Sequence, residues 1–364
     1  MARLTAVGVG GFKSIKDLQP LPLRPRNVLV GANGAGKSNL ISFFRFLRAL
    51  STGKLQEFVG RAGGADALLY YGAKETPQLW GSLEFEDKTG TRIFYFSLVS
   101  TETDSLIFSD EQLDYRSTVH SAPRRQSLGS GHRESLLISA LAAEFLDLLE
   151  GIRVFHFEDT SESAGIRRRG YVEDNRQLQG DAGNLAAFLL ALRQTQPEYY
   201  RRIVRIIQTI APFFEDFDLT PLRTDPRHVL LNWRDRESTR LFGPHQLSDG
   251  TLRSMALVTL LAQPENELPP VIVLDEPEIG LHPFAIEVIA SLIKSAALHS
   301  TVIVATQSAG LVSQFAAEDV ITVIREKAES RFERQRSEAL ATWLEDYSLG
   351  EIWEQNLIGG TPSR

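Results

Sequence analysis

At 364 residues the chain has length for one large domain or two to three ordinary ones, and its 43% hydrophobic and 23% charged fractions are those of a globular protein with a substantial core. The absence of cysteine excludes disulfides, thiolate metal sites and cysteine nucleophiles. A net charge of −7 argues against a uniformly basic surface while leaving room for a local basic groove. No apolar run approaches the ~18 residues needed to span a bilayer, and no signal-peptide apolar region opens the sequence, so a cytoplasmic protein without membrane attachment is expected.

In chain order, residues 4–9 alternate as a strand does and lead through Gly10-Gly11 to Phe12-Lys13-Ser14-Ile15. Lys13 and Ser14 either help to hold a ligand or are solvated edge residues. A second strand at 27–30 delivers the chain to Gly31-Ala32-Asn33-Gly34-Ala35-Gly36-Lys37-Ser38, and apolar residues at helical spacing follow from Asn39 to Leu47. Strand, glycine turn and helix in this order match G-x-x-x-x-G-K-[ST]. In that motif main-chain N–H groups at the start of a helix close around phosphate oxygens. The cradle here is Asn33, Gly34, Ala35, Gly36, Lys37, Ser38 and Asn39, with Lys37 reaching the outer phosphates and the Ser38 hydroxyl ligating Mg2+.

Two strands at 79–85 and 92–99, separated by Glu86-Asp87-Lys88-Thr89-Gly90, predict an antiparallel β region. The polar stretch 110–134, with Ser117, Ser121, Arg124 and Arg125, reads as a mobile loop. Helices are expected at 134–149, 182–193 and 198–210, with a short strand at 153–157. No heptad pattern is sustained, so no long coiled coil is expected. The expected divisions are 1–109 and 226–330 as the two parts of one α/β domain, 110–225 as an inserted, mainly helical subdomain, and 331–364 as a helical tail.

Leu247-Ser248-Asp249-Gly250-Thr251-Leu252-Arg253 precedes an apolar helical pattern, which puts Ser248 and Gly250 at a helix N-terminus. That placement serves an anion or simply a helix cap. The run Val271-Ile272-Val273-Leu274 reads as a strand buried on both faces and ends in Asp275-Glu276. Beside a phosphate loop, Asp275 suits a Mg2+ contact, and Glu276 suits the orienting or deprotonation of water. Another buried strand at 301–305 ends at Thr306-Gln307-Ser308, where Gln307 either senses the terminal phosphate or is a hydrogen-bonded loop residue. A strand at 320–325 and a helix at 340–354 follow; Trp343, Leu344 and Tyr347 share a face of that helix and are expected to pack.

The order of phosphate loop, Leu-Ser-Asp-Gly-Thr segment, Leu-Asp-Glu-Pro-Glu strand end, Gly-Leu-His-Pro and Ala-Thr-Gln-Ser resembles the ABC-type ATPases of the SMC/RecF group. More narrowly it is similar to stand-alone bacterial "AAA family" ATPases, to the ATPase part of overcoming-lysogenization-defect nucleases and to the Septu ATPase. The motifs lie in the first fifty and the last hundred and twenty residues. The resemblance implies a P-loop α/β fold that hydrolyses ATP with Mg2+, and a homodimer formed head to tail around ATP. In it, Ser248 and Gly250 of one copy cover nucleotide held by Lys37 and Ser38 of the other, and Glu276 activates water. Where such relatives often carry histidine this chain has Gln307, and their Mg2+-side glutamine has two candidates, Gln56 and Gln78.

Arg167-Arg168-Arg169, Arg201/Arg202/Arg205 and Arg331/Arg334/Arg336 are either solvated faces or parts of a DNA surface. The leading expectation is an ATP-driven switch acting on DNA or on a separate effector such as a nuclease, in DNA repair or anti-phage defence. The alternatives are an energy-coupling subunit of a membrane transporter and a non-hydrolysing, nucleotide-gated scaffold.

Overall fold

The computed structural model describes residues 2–118, 123–138 and 143–361. Among them the chain separates into two compact units, one of residues 1–154, 269–273 and 300–364 and one of residues 155–268 and 274–299.

The first unit is built on two six-stranded sheets. One is antiparallel between the neighbours Ile15–Pro22, Arg3–Phe12, Gln78–Asp87, Gly90–Ser100, Leu106–Ser117 and Arg124–Gly129 in that order. The other runs Glu329–Arg334, Val320–Glu326, Arg26–Val30, Thr301–Thr306, Val271–Asp275, Ile152–Phe155. Arg26–Val30 is parallel to the strands on both sides of it. Its neighbour Thr301–Thr306 reads as a mainly apolar run without alternation because it is buried along its whole length.

Helix Lys37–Ser51 carries the densest part of the core. Leu40, Ile41, Phe43, Phe44, Phe46, Leu47 and Leu50 are all buried, leaving Arg45 and Arg48 exposed. An apolar surface that reaches almost all round a helix needs partners on more than one side. Phe43 meets Phe12 from one sheet strand at 5.7 Å and Phe96 from another at 6.4 Å, and stacks along its own helix on Phe46. Each such ring stabilises the fold by roughly 1.5–3 kcal/mol on burial. The helix that follows the phosphate loop is thereby fixed by its own interior face.

The second unit stacks helices Leu185–Thr195, Pro197–Ile210, Asp249–Leu261 and Pro283–Ala296, each against the next, with a small sheet of Phe214–Asp218, Asn232–Asp235 and Leu241–Phe242. Pro197 occupies the first turn of its helix, as its fixed φ and missing N–H favour.

Three expectations need correction. The polar stretch expected as a loop at 110–134 carries the end of strand Leu106–Ser117 and strand Arg124–Gly129; Asp114 pairs with Arg125 across the ladder, so polar side chains line a solvated sheet face. Ser121 lies outside the described residues. Of the helix expected at 134–149, the described residues carry a 3-10 turn at Leu136–Ile138 and helix Ala143–Glu150, with residues 139–142 outside the described residues; Glu134 is not helical, and its carboxylate accepts the backbone N–H groups of Leu55 and Gln56. The tail helix expected at 340–354 is two helices, Ser337–Leu344 and Leu349–Glu354. Ser348 opens the second through a capping box with Glu351, and Trp343, Leu344 and Tyr347 stay exposed while Leu349, Ile352 and Trp353 are buried. The longest helix among the described residues has 15 residues, too short for a long coiled-coil arm.

Candidate nucleotide site

The phosphate loop leaves strand Arg26–Val30 and enters its helix at Gly36, whose φ of +119° is open to glycine and strained for any other residue. A Cβ there would also lie 2.0 Å from Ser330 Oγ. The loop is braced from behind by hydroxyls. Ser330 donates to the Ala35 carbonyl at 2.7 Å, Ser14 and Ser330 share a hydrogen bond of 2.6 Å, and Asn39 Nδ2 donates to Ser14 Oγ at 2.6 Å. Helix Lys37–Ser51 has no side-chain cap and no acidic residue in its first turn. A helix start so arranged turns N–H donors and a positive dipole end towards an anion. Lys37 Nζ is buried and donates to the carbonyls of Gly31 and Ala32, at 2.5 and 3.2 Å, which holds the ammonium inside the loop.

Gln307 and Arg325 line one cavity of about 880 Å3 with residues of the loop, including Asn33 and Gly34. Arg325 also points Nη1 at the Gly34 carbonyl, at 3.5 Å. Lys13, in contrast, spends its ammonium on Ser42 Oγ at 2.8 Å; burial, and then the charge of Arg45, hold its pKa below the usual lysine range. Ser14 therefore supports the loop, and Lys13 secures the strand to the helix.

In the second unit, Ser248 does act as a helix cap: its Oγ accepts the Thr251 N–H at 3.2 Å, and the residue stays exposed. Gly250 packs against the turn after the carboxylate pair, since a Cβ on it would stand 2.2 Å from the Gly280 oxygen. Arg253 ties its own helix to two other segments by donating to the carbonyls of Phe157 at 3.1 Å, Glu158 at 2.7 Å and Ile279 at 3.0 Å. Arg167 is buried and holds the approach to the helix, donating to the carbonyls of Thr160 and Pro244 and to Asp249 at 2.7 Å. That hydrogen bond is the largest cause of an Asp249 pKa below the ordinary aspartate range.

Glu276 has a φ of +46°, a left-handed conformation that costs a residue with a side chain free energy and is concentrated at functional sites. Beside it, His156 directs Nδ1 at Asp275, 3.3 Å from its carbonyl and 3.7 Å from its carboxylate, with Nε2 on Glu158 at 2.8 Å.

Among the described residues no group of three or more His, Asp or Glu side chains could enclose a metal. Both glutamine candidates are committed elsewhere: Gln56 Nε2 donates to the carbonyls of Leu106 and Arg133, and Gln78 to Ser97 Oγ.

Sequence reasoning missed Ser330, Arg325 and the bracing role of Arg253. Ser330 sits almost three hundred residues from the loop it supports and carries no local signal. The clusters containing Arg167 and Arg334 read in the sequence either as solvated faces or as parts of a DNA surface. Arg167 is inside the unit, and Arg334 is spent on the carbonyls of Glu318 and Pro22 and on Asn27, with burial depressing its pKa to about 10.

The sequence profile of the family described as "AAA domain, putative AbiEii toxin, Type IV TA system" matches residues 26–313. No curated protein matches the chain. Among solved structures, an Smc head bound to the C-terminal winged-helix domain of ScpA superposes with a TM-score of 0.62 at 17% identity, over 93% of this chain and 99% of that one. The Smc head with an extended coiled coil, bound to the C-terminal domain of ScpA from Pyrococcus furiosus, gives 0.62 at 15% identity over 95% and 99%. The chain belongs to this AAA-domain family, and its fold is that of an ABC-type P-loop ATPase of the SMC/RecF kind.

Proposed function

We propose that this protein binds ATP with Mg2+, hydrolyses it, and uses the bound nucleotide to join two copies of itself head to tail. The observation that carries the reading is the uncapped helix start at Gly36, with Lys37 folded into the loop and Ser14 and Ser330 bracing it. ATP supplies the triphosphate that both copies grip, and Mg2+ offsets its charge. Ser38 and Asp275 are the proposed Mg2+ ligands, and Gln307 the contact to the terminal phosphate. Glu276 orients and deprotonates water, a role with which its left-handed backbone is consistent.

Ser248 and Gly250 are proposed to cover the nucleotide of the opposite copy. Exposure of Ser248 at a helix N-terminus supports this, because the hydroxyl and the dipole end are open to an incoming phosphate. A ligand that contacts both copies favours the dimer by its differential affinity alone, and hydrolysis removes the bridge. The output is proposed to fall on a separate effector or on DNA, in repair or defence. The effector is favoured, because Arg167 and Arg334 are engaged within the fold. The head structures of similar fold are themselves bound to a protein partner.

The test is Glu276→Gln in saturating ATP and Mg2+. This variant should bind ATP, turn over slowly and accumulate as a dimer in sedimentation. A variant that stays monomeric while retaining ATP, or that hydrolyses at the wild-type rate, contradicts the shared site or the assigned base.

A further inference from the structure

The cavity beside the phosphate loop has a wall that the nucleotide reading leaves unexplained. Trp353, Asn356, Gly359 and Gly360 of the C-terminal segment line it together with Gly31–Ala35. Among the described residues no carboxylate lines this space; its polar groups include the Arg325 guanidinium and the Gln307 and Asn356 amides. Such a lining favours an anion rich in acceptor oxygens.

The segment is anchored from the sensor side. Helix Leu349–Glu354 packs on Ala309–Val312, which starts two residues after Gln307, and the Gly350 N–H donates to Ser313 Oγ at 3.1 Å. Trp353 is 7% exposed, and its indole N–H is buried with no acceptor among the described residues. A buried donor without an acceptor is costly, and the arrangement is relieved by whatever supplies one.

We propose that the C-terminal segment 349–361 is a second jaw of the triphosphate site, in which Trp353 Nε1–H, the Asn356 amide and the Arg325 guanidinium donate to phosphate oxygens of nucleotide seated on the phosphate loop. The proposal rests on the nucleotide reading above. Because the indole N–H is closed off from solvent, the segment shifts as ligand enters, and the ligand supplies the bond that Trp353 lacks. Through Gly350 and Ser313 that shift reaches the turn carrying Gln307.

The experiment compares wild type, Trp353→Phe, Asn356→Gly and Lys37→Ala by thermal unfolding and by ATP titration. Trp353→Phe keeps an aromatic ring and removes the orphaned donor, so its ligand-free melting temperature should be equal to or above that of wild type. Its ATP affinity should fall about tenfold, or ~1.4 kcal/mol. Asn356 has a φ of +60°, which glycine adopts without strain, so Asn356→Gly removes the amide alone and should weaken ATP several-fold even if Trp353→Phe does not fold. Wild-type protein that does not bind ATP overturns the nucleotide reading and this proposal together. Binding that is lost in Lys37→Ala but kept in full by Asn356→Gly and by any folded Trp353→Phe overturns this proposal alone. A Trp353→Phe protein that melts lower yet binds ATP normally marks the indole as packing and also overturns it.

Discussion

Gly250 faces Gly280 so closely that the first carbon of any side chain on it would lie 2.2 Å from the Gly280 carbonyl oxygen. The start of helix Asp249–Leu261 and the turn that follows Asp275-Glu276 are therefore packed backbone to backbone, an arrangement that Arg253 reinforces through the Ile279 carbonyl. Backbone cannot yield as a flexible side chain does, so Gly250→Ala should displace one element or the other at a cost of about 1–3 kcal/mol. Thermal unfolding should show the loss, and ATP turnover should fall while ATP affinity, which the proposed function assigns to the Lys37 loop, stays near wild type. A variant that melts and hydrolyses like the parent would mean that the contact is not tight in solution.

Lys37→Ala removes an ammonium that is held inside the phosphate loop by two carbonyls. Charge-assisted hydrogen bonds are worth roughly 1.5–3 kcal/mol each, so losing them to a triphosphate should weaken ATP by about a hundredfold or more. Calorimetric titration measures this directly, and undiminished affinity would move the nucleotide elsewhere on the protein.

The parts of this fold legible in the sequence are those in which a local pattern has a local cause. Glycine at Gly36 is dictated by a positive φ, the run 271–274 by burial on both faces, and Pro197 by its place in a first turn. The phosphate-loop motif needs only eight residues to mark a nucleotide site, and the order of the motifs together carries the resemblance to the ATPase class. What escaped notice depends on distant partners. Ser330 acts through Ser14 and Ala35, and nothing near it in the chain shows that. The same limit explains Arg167: three adjacent arginines resemble a solvated basic face, yet the first is drawn inside by the carbonyls of Thr160 and Pro244 and by Asp249. The Ser348 and Glu351 capping box has a local sequence signal, but the reading of one helix over 340–354, which rests on the helical spacing of Trp343, Leu344 and Tyr347, does not use it.

Arg253 satisfies three carbonyls on two separate segments, a task that depends on the planar fork of a guanidinium. Arg253→Lys keeps the charge but reaches fewer of them. The prediction is a loss of about 1–2 kcal/mol in unfolding free energy. Steady-state ATP hydrolysis should slow with little change in ATP affinity, because segment 157–158 and the Ile279 turn lose their common anchor. Equal rates for the lysine variant and wild type would reduce Arg253 to a surface residue.

The contact between Arg167 and Asp249 carries a pH dependence whose sign is fixed. Asp249 has its pKa lowered from 3.8 in the folded protein, first by the hydrogen bond from Arg167. Its contribution to stability is therefore fully present above the unfolded value and is lost as pH falls through the lower folded one. Asp249→Asn should flatten part of the decline in stability below about pH 4 and leave the neutral-pH dependence unchanged. An acid limb identical to that of wild type, followed by circular dichroism, would show that the pair does not form.

Ser248 gives the sharpest test of the two-copy arrangement, because it caps its own helix and is also exposed. A cap can be replaced at modest cost: removing the Ser248 acceptor leaves one N–H of the first turn to water, worth about 1 kcal/mol. Ser248→Ala should therefore lower stability slightly and weaken the ATP-bound dimer. Ser248→Arg adds a long cation where the opposite copy's triphosphate would have to approach, and it should abolish ATP-dependent dimerisation while leaving ATP binding to the monomer intact. Introducing either change on a Glu276→Gln background removes hydrolysis as a confounding cause, and sedimentation in ATP then reports closure alone. If the arginine variant still dimerises on ATP as the parent does, Ser248 does not lie at the nucleotide of a second copy, and the bridge between copies must be built from other residues.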